Sequence, residues 1–345
     1  MKILFNCNNS AFQAPGGGEI LLLKTREFLM KKGVNIKLFD QWNDKLNNYD
    51  ILHNFGLSNN CYDLINTAYN KKVPIFITPV YSWPSLRFAL RSGATLKNKL
   101  KLSGYSILHG TPILNKLTRT NKILKMANII LADSEAEKNV LMKTYKLNDK
   151  KFRITPYGVD KRFFNSNEKE FVRKYGMKDF LLYTGRIEPR KNVLTLIKIV
   201  NKLNLPLVII GNKNYQGGDY YYNLCKKIAR KNVHFIDRID HESSLLASAY
   251  AAAKAVVLPS WLENPGLTVL EGGLAGANVL VTSRGSAKEY FQDYASYVNP
   301  FNNRDIEKKI LMVYQKEKDK KLAKHIKKNF IWEVVTSKIE RYYKD

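Results

Sequence analysis

The chain has 345 residues, 45 % of them hydrophobic, which excludes disorder along its whole length and is enough for two domains of about 150 residues each. Lys and Arg number 57 against 30 Asp and Glu, a formal net charge of +27, so the chain is drawn to polyanions such as nucleic acid, anionic lipid or phosphorylated small molecules. No apolar run reaches the roughly 20 residues of a membrane-spanning helix. The scattered Cys7, Cys61 and Cys225 fit neither a zinc site nor a disulfide framework and point to a reducing cytoplasm.

Residues 1–7 form one short apolar run without the long core or cleavage site of a signal peptide, and 2–6 read as a first strand. Further strands are predicted at 35–39, 51–53, 74–78, 129–132 and 152–155, separated by helical patterns such as 19–32 and 135–145. After a polar interval near 165–169 the alternation restarts. Strands fall at 180–184, 207–210, 234–236, 256–258 and 279–282, with helices at 193–203, 220–230, 243–252 and 268–275 between them. Alternation of this kind implies an α/β fold with parallel, doubly wound sheets, and two successive sets imply two Rossmann-like domains. Ligands in such folds bind beyond the carboxyl ends of the strands, so the loops after strands are where chemistry is expected.

Three such loops stand out. Pro15-Gly16-Gly17-Gly18 opens into the first helix, where glycines let a ligand approach the backbone and the helix N-terminus favours an anion; a tight strand–helix turn needs the same residues. Gly185-Arg186-Ile187-Glu188-Pro189-Arg190-Lys191-Asn192 follows a strand. Arg186 supplies a planar fork and Lys191 a mobile point charge, a pair suited to a diphosphate, and Asn192 is placed to cap the next helix. Two surface cations beside a helix would look alike in sequence. Pro259-Ser260-Trp261-Leu262-Glu263-Asn264-Pro265-Gly266-Leu267 then leads into a helix carrying Glu271. Two carboxylates eight apart can hold sugar hydroxyls, while the amides of Asn264, Pro265, Gly266 and Leu267 form a helix entrance facing an anion or hydroxyl, Pro265 lacking an N–H of its own. A glycosidase-like acid–base pair is the chemical alternative, and a helix start with a surface Glu271 is the structural one.

These segments, in this order and at these intervals, resemble the family-4 retaining glycosyltransferases of GT-B fold. Glu263-x7-Glu271 is similar to that family's signature, and Gly185-Arg186-Ile187 with Lys191-Asn192 to its diphosphate loop. Asp133-Ser134-Glu135, Thr155-Pro156-Tyr157-Gly158-Val159-Asp160, the run from Ser243 to Ser260, and Phe330-Ile331-Trp332-Glu333 resemble further family elements, so the likeness spans residues 2 to about 340. It implies two Rossmann-like domains facing a central cleft: an acceptor-binding domain at 1–164, a nucleotide-sugar domain at 165–327, and a C-terminal helix at 328–345 packing back on the first domain. By the same resemblance Arg186 and Lys191 bind the donor diphosphate and stabilise the leaving nucleotide in place of a metal, Glu271 holds the ribose, Glu263 contacts the transferred sugar, and Gly16 and Gly17 approach the donor phosphate. The chain has no Asp-x-Asp, and neither metal nor cofactor is expected.

One departure concerns the first domain. Val80 in Thr78-Pro79-Val80-Tyr81 stands where many relatives carry an active-site His. Either that group is missing or its role has passed to Tyr81, His53 or His109. Between Leu64 and Ala132 there are eleven Lys and Arg and no acid, and Trp83, Leu86, Phe88, Leu90, Leu96 and Leu100 are interleaved with cations. A lysine-rich solvated surface explains this stretch, and so does an interfacial helix across 83–102 lying on anionic headgroups, which would suit a lipid-linked acceptor. The partners expected are a nucleotide sugar, a lipid-linked or cell-surface glycan precursor and an anionic membrane, with the protein in the cytoplasm or on the inner face of the membrane. A nucleotide-sugar 2-epimerase of the same fold is the nearest rival. Nucleic-acid binding has only the net charge in its favour, since no helix-turn-helix, RNP or zinc-finger pattern accompanies it.

Overall fold

The computed structural model describes every residue except 14, 82–84, 92–94, 112, 213–218 and 345. It divides into two compact units. The first comprises Met1–Ala89, Leu100–Gly158 and Trp332–Asp345, the second Leu90–Lys99 and Val159–Ile331. The division at Gly158 falls a few residues before the 164/165 boundary read from sequence, because Val159 already belongs to the second unit: its N–H donates to the Phe330 carbonyl at 2.8 Å.

The first unit is built on a parallel sheet of β1 (Lys2–Asn6), β2 (Asn35–Leu38), β3 (Ile51–Phe55), β4 (Ile75–Thr78), β5 (Ile129–Ala132) and β6 (Phe152–Ile154), in the order β2-β1-β3-β4-β5-β6. The order reverses between β1 and β3, so their carboxyl ends flank the switch point where ligands of such sheets bind. β3 and β4 are buried at every position, as strands covered on both faces must be. The last helix, Trp332–Lys344, belongs to this unit. It starts at Trp332 because the preceding helix, Lys321–Asn329, ends first. Trp332 stacks against Phe28 of the helix Gly17–Met30 and lies so close to Gly158 that a Cβ there would come within 2.3 Å of the indole.

The last helix, through Tyr343, also seals His53. The imidazole is wholly buried, its Nδ1 against the Tyr343 hydroxyl and its Nε2 2.8 Å from Thr78 Oγ1, and it stacks on Phe55. Burial pushes its pKa down to about 3. An unfolded chain protonates this residue below about 6.5, while the folded chain does not until about 3. Folding stability attributable to His53 is therefore level above that window and falls as the pH drops through it. Urea unfolding between pH 4.5 and 7 is expected to show this as a slope of up to about 1.4 kcal/mol per pH unit that His53→Gln removes; parallel pH profiles for the two proteins would refute it.

Within the acid-free stretch, the segment anticipated as one helix across 83–102 contributes to two, Leu86–Arg91 and Leu96–Gly110. Thr95 accepts from the Asn98 amide at 3.4 Å and starts the second. Trp83 and Gly93 lie outside the described residues. His109, in the second helix, and Tyr81 both meet the Tyr145 hydroxyl, at 3.1 and 3.3 Å, and all three are buried. The Tyr81 amide donates to Glu137 Oε1 at 2.8 Å. His53, His109 and Tyr81 thus share one property: each is packed and hydrogen-bonded inside the first unit.

The second unit repeats the plan with β7 (Leu181–Thr184), β8 (Leu207–Ile210), β9 (Val233–Ile236), β10 (Ala255–Leu258), β11 (Asn278–Thr282) and β12 (Ser296–Val298), all parallel, in the order β12-β11-β10-β7-β8-β9. The reversal lies between β7 and β10. The loops after these two strands are the Gly185–Asn192 and Pro259–Leu267 motifs, so topology alone brings the two strongest sequence signals to one place.

Candidate active site in the second unit

The β7 loop begins where two strands converge. Gly211, after β8, has φ +150°, and a Cβ there would lie 2.1 Å from the Gly185 carbonyl oxygen. Only glycine permits this approach. Tyr183 then donates its hydroxyl to the Arg186 carbonyl at 2.6 Å, and Pro189–Lys191 makes one 3-10 turn. Asn192 occupies the N-cap position of the helix Val193–Leu203, but its side chain does not cap it. The carboxamide is buried and donates to the Pro259 carbonyl at 3.1 Å, because that carbonyl is the nearer demand. Three more hydrogen bonds bind the two loops: Trp261 N–H to Arg190 O at 3.0 Å, Trp261 Nε1 to Pro189 O at 3.1 Å, and Arg190 Nη1 to Leu262 O at 3.2 Å.

Glu263 is the centre of this junction. Its backbone is fixed by a third loop, after β11: the Glu263 N–H donates to Arg284 O and the Ser286 N–H to Glu263 O, at 3.2 and 3.1 Å. Its carboxylate, 4 % exposed, accepts from Lys191 Nζ at 2.7 Å and lies 3.8 Å from Arg190. Burial alone would push this carboxyl up; Lys191 and Arg190 outweigh it and hold Glu263 below the usual carboxylate range. Burial dominates at Lys191, whose pKa is lowered despite Glu263. Glu188 bridges Arg190 at 3.3 Å and the more exposed Arg186 at 3.8 Å. The sequence reading singled out Arg186, Lys191 and Glu263; Arg190 and Glu188 stand in the same motif, and only the folded loop shows their part.

After Asn264 and Pro265, Gly266 turns the chain at φ +93° into the helix Leu267–Leu274, whose N-cap position it occupies. Backbone amides at such an entrance favour an anion or a hydroxyl. Glu271, five residues into the helix, is buried and not on the surface. One oxygen accepts from the Tyr250 hydroxyl at 2.6 Å and the other meets His241 Nε2 at 2.8 Å. Burial would lower the His241 pKa, but Glu271 overrides it and the net shift is upward. Tyr250 reaches on to Thr184 Oγ1 at 2.8 Å, at the end of β7. His241 and Tyr250 were not foreseen.

Gly16 and Gly17 belong to the first unit. Gly16 is the N-cap of the helix Gly17–Met30, and its N–H donates to Glu19 Oε2 at 2.6 Å. A resident carboxylate therefore already sits on one amide of the turn predicted to meet phosphate.

Residues 164–330 match the family model described as "Glycosyl transferases group 1". Among curated proteins the chain is 25 % identical over 260 residues to "Uncharacterized glycosyltransferase MJ1178" of Methanocaldococcus jannaschii, 73 % of this chain and 71 % of that one. It is 24 % identical over 237 residues to "O-antigen chain mannosyltransferase B" of Escherichia coli, 64 % of this chain and 61 % of the other, less than two thirds of its length. Among solved structures, sucrose-phosphate synthase of Thermosynechococcus elongatus superposes with TM-score 0.75 at 16 % identity, covering 100 % of this chain and 98 % of that one. Anabaena Alr3699/HepE, solved with UDP and with UDP-glucose, has TM-scores of 0.69 and 0.68 at 13 % and 12 % identity, with both chains fully covered at 100 %. Two parallel six-stranded sheets with helices on their faces, the sequence pattern at the β7–β10 switch point and the match over 164–330 converge: the chain is a glycosyltransferase of GT-B fold whose second unit matches the glycosyl transferases group 1 model.

Proposed function

We propose that this enzyme transfers a sugar from a nucleoside-diphosphate sugar with retention of anomeric configuration and without a metal. The observation that carries the reading is the juxtaposition, at the β7–β10 switch point, of Lys191, Arg190 and Arg186 with Glu263, and of Glu271 on the helix that follows. Arg186 and Lys191 take the diphosphate and stabilise the charge that builds on it as the glycosidic bond breaks, the work a divalent cation does elsewhere. Glu263 receives the transferred sugar, the Asn264–Leu267 entrance its polar groups, and Glu271 the ribose hydroxyls. Gly16 and Gly17 serve the donor phosphate once Glu19 yields the Gly16 amide. The binding of UDP and UDP-glucose by a protein of the same fold supports a nucleotide-sugar donor. The test is transfer from a panel of UDP-, GDP- and ADP-sugars in EDTA, with the anomer of the product read by NMR. Retained configuration with full turnover in EDTA is expected; an inverted product, or activity that returns only with magnesium or manganese, overturns the reading.

The acceptor is proposed to be a lipid-linked or cell-surface glycan precursor, presented to the first unit at the inner face of an anionic membrane. No helix among the described residues is long and apolar enough to cross a bilayer. The first unit instead exposes large apolar side chains: Leu100, Ile113 and Leu117 are 67 %, 77 % and 78 % exposed, among Lys101, Lys116, Arg119 and Lys122. Exposed charge alone binds lipid weakly, being screened beyond about 8 Å in physiological salt, whereas inserted apolar groups add a part that salt does not remove. Wild type is expected to co-sediment with phosphatidylglycerol vesicles and not with phosphatidylcholine vesicles. Changing the four cations to Ser should reduce binding to no more than the part that survives high salt in wild type, and changing the three apolar residues to Ser should make it fully salt-labile. Wild type that stays in the supernatant at low salt would sink the proposal.

A further inference from the structure

Glu188 has no role in the reading above, yet it is the acid between the two guanidinium groups of the site. Its side chain is 9 % exposed on an extended stretch of backbone, with Oε1 3.3 Å from Arg190 Nη2 and Oε2 3.8 Å from Arg186 Nε. Followed around the site, the charges alternate: Arg186, Glu188, Arg190, Glu263, Lys191, each within 3.8 Å of the next. Three cations face two carboxylates. Glu263 has work to do on the sugar. Glu188 has no part in that contact, and its carboxylate sits against two of the cations meant for phosphate.

The cost of a strong cation cluster explains why an acid belongs there. Interactions made equally with bound donor, transition state and product do not speed the chemical step. A site that grips a diphosphate with three undiluted cations also grips the nucleoside diphosphate it has made, and product release limits many enzymes. A carboxylate touching two of those cations weakens the grip on every bound diphosphate and re-pairs the guanidinium groups when the product departs.

We propose that Glu188 is a positioning residue for product release: it competes with the nucleoside diphosphate for Arg186 and Arg190 and so keeps the spent nucleotide from remaining bound. This rests on the donor reading above. Replacing Glu188 by Gln keeps the shape and removes the competing charge; at the short range of such a site one charge is worth about tenfold or more in affinity.

The experiment titrates UDP, GDP and ADP by calorimetry into wild type, Glu188→Gln, Glu188→Ser, Glu188→Asp and Lys191→Ala. The diphosphate that binds wild type should bind both neutral Glu188 variants about tenfold or more tightly and Glu188→Asp within about threefold of wild type. Lys191→Ala should bind it more weakly. In turnover, Glu188→Gln should lower kcat and KM together and lower the inhibition constant of the product, a pattern that a folding defect does not produce. If Lys191→Ala weakens binding while Glu188→Gln and Glu188→Ser bind no tighter, the release role is wrong and the donor site stands. If no diphosphate binds wild type, or Lys191→Ala binds as well as wild type, the donor site is wrong and the release role goes with it.

Discussion

Lys191→Ala is expected to lower turnover by about 10²-fold or more, which is the scale on which a preorganised charge acts on a developing anion. Lys191 is suited to that task by its surroundings. Its ammonium is largely desolvated and held by Glu263 at 2.7 Å, so it is aimed before donor arrives. Removing it leaves the buried Glu263 carboxylate with Arg190, at 3.8 Å, as its remaining cation among the described residues. A buried pair that loses one member outright costs about 3–5 kcal/mol, and Arg190 offsets part of this, so the variant should fold with reduced stability. Lys191→Arg separates charge from reach. The guanidinium keeps the charge but not the compact ammonium geometry, and turnover should recover only in part. Rapid-quench measurement of transfer with saturating donor reads the effect on kcat directly. Turnover equal to wild type in a folded Lys191→Ala protein would remove the β7 loop from the chemistry.

How much of this was legible in the sequence follows from distance along the chain. The β7 and β10 loops are contiguous segments at strand ends, so glycine, cation and carboxylate show together in one stretch, and parallel topology then makes the two loops neighbours. The surroundings of Glu271 were not legible. His241 and Tyr250 lie 30 and 21 residues before it, on separate elements, and nothing in a buried tyrosine or a loop histidine announces which carboxylate it will meet. β12 escaped for a different reason: Ser296–Val298 is three residues long and only its last is buried, too short for a period of two to show. Asn192 is instructive because the residue type was right for a cap and the side chain went elsewhere. Local propensity lost to a buried carbonyl that needed a donor.

Gly285→Ala is expected to be nearly as damaging as loss of Lys191, through Glu263. Gly285 lies in the loop after β11 at φ +104°, a conformation L-residues rarely adopt, and a Cβ there would stand 1.9 Å from the Glu263 carbonyl oxygen. No side chain can give way, because the obstruction is backbone. The bridge between Glu263 and Gly285, with its hydrogen bonds from Glu263 N–H to Arg284 O and from Ser286 N–H to Glu263 O, would have to open. Glu263 would then shift relative to Lys191, and misplacement of a reacting group by about 1 Å can cost about 10² in rate. Positive φ alone costs an alanine about 1–2 kcal/mol, so a comparison must separate strain from displacement. Gly276 supplies it. It has φ +90°, follows the helix Leu267–Leu274, and has nothing within 4 Å of its Cβ position. Gly276→Ala should therefore lose about 1–2 kcal/mol of stability and keep its turnover within about twofold. Gly285→Ala should lose more, about 2–4 kcal/mol, and about 10² in turnover at temperatures where it is fully folded. Thermal unfolding and steady-state kinetics on the two variants side by side decide the matter: equal turnover in both would mean that Glu263 does not depend on the β11 loop for its place.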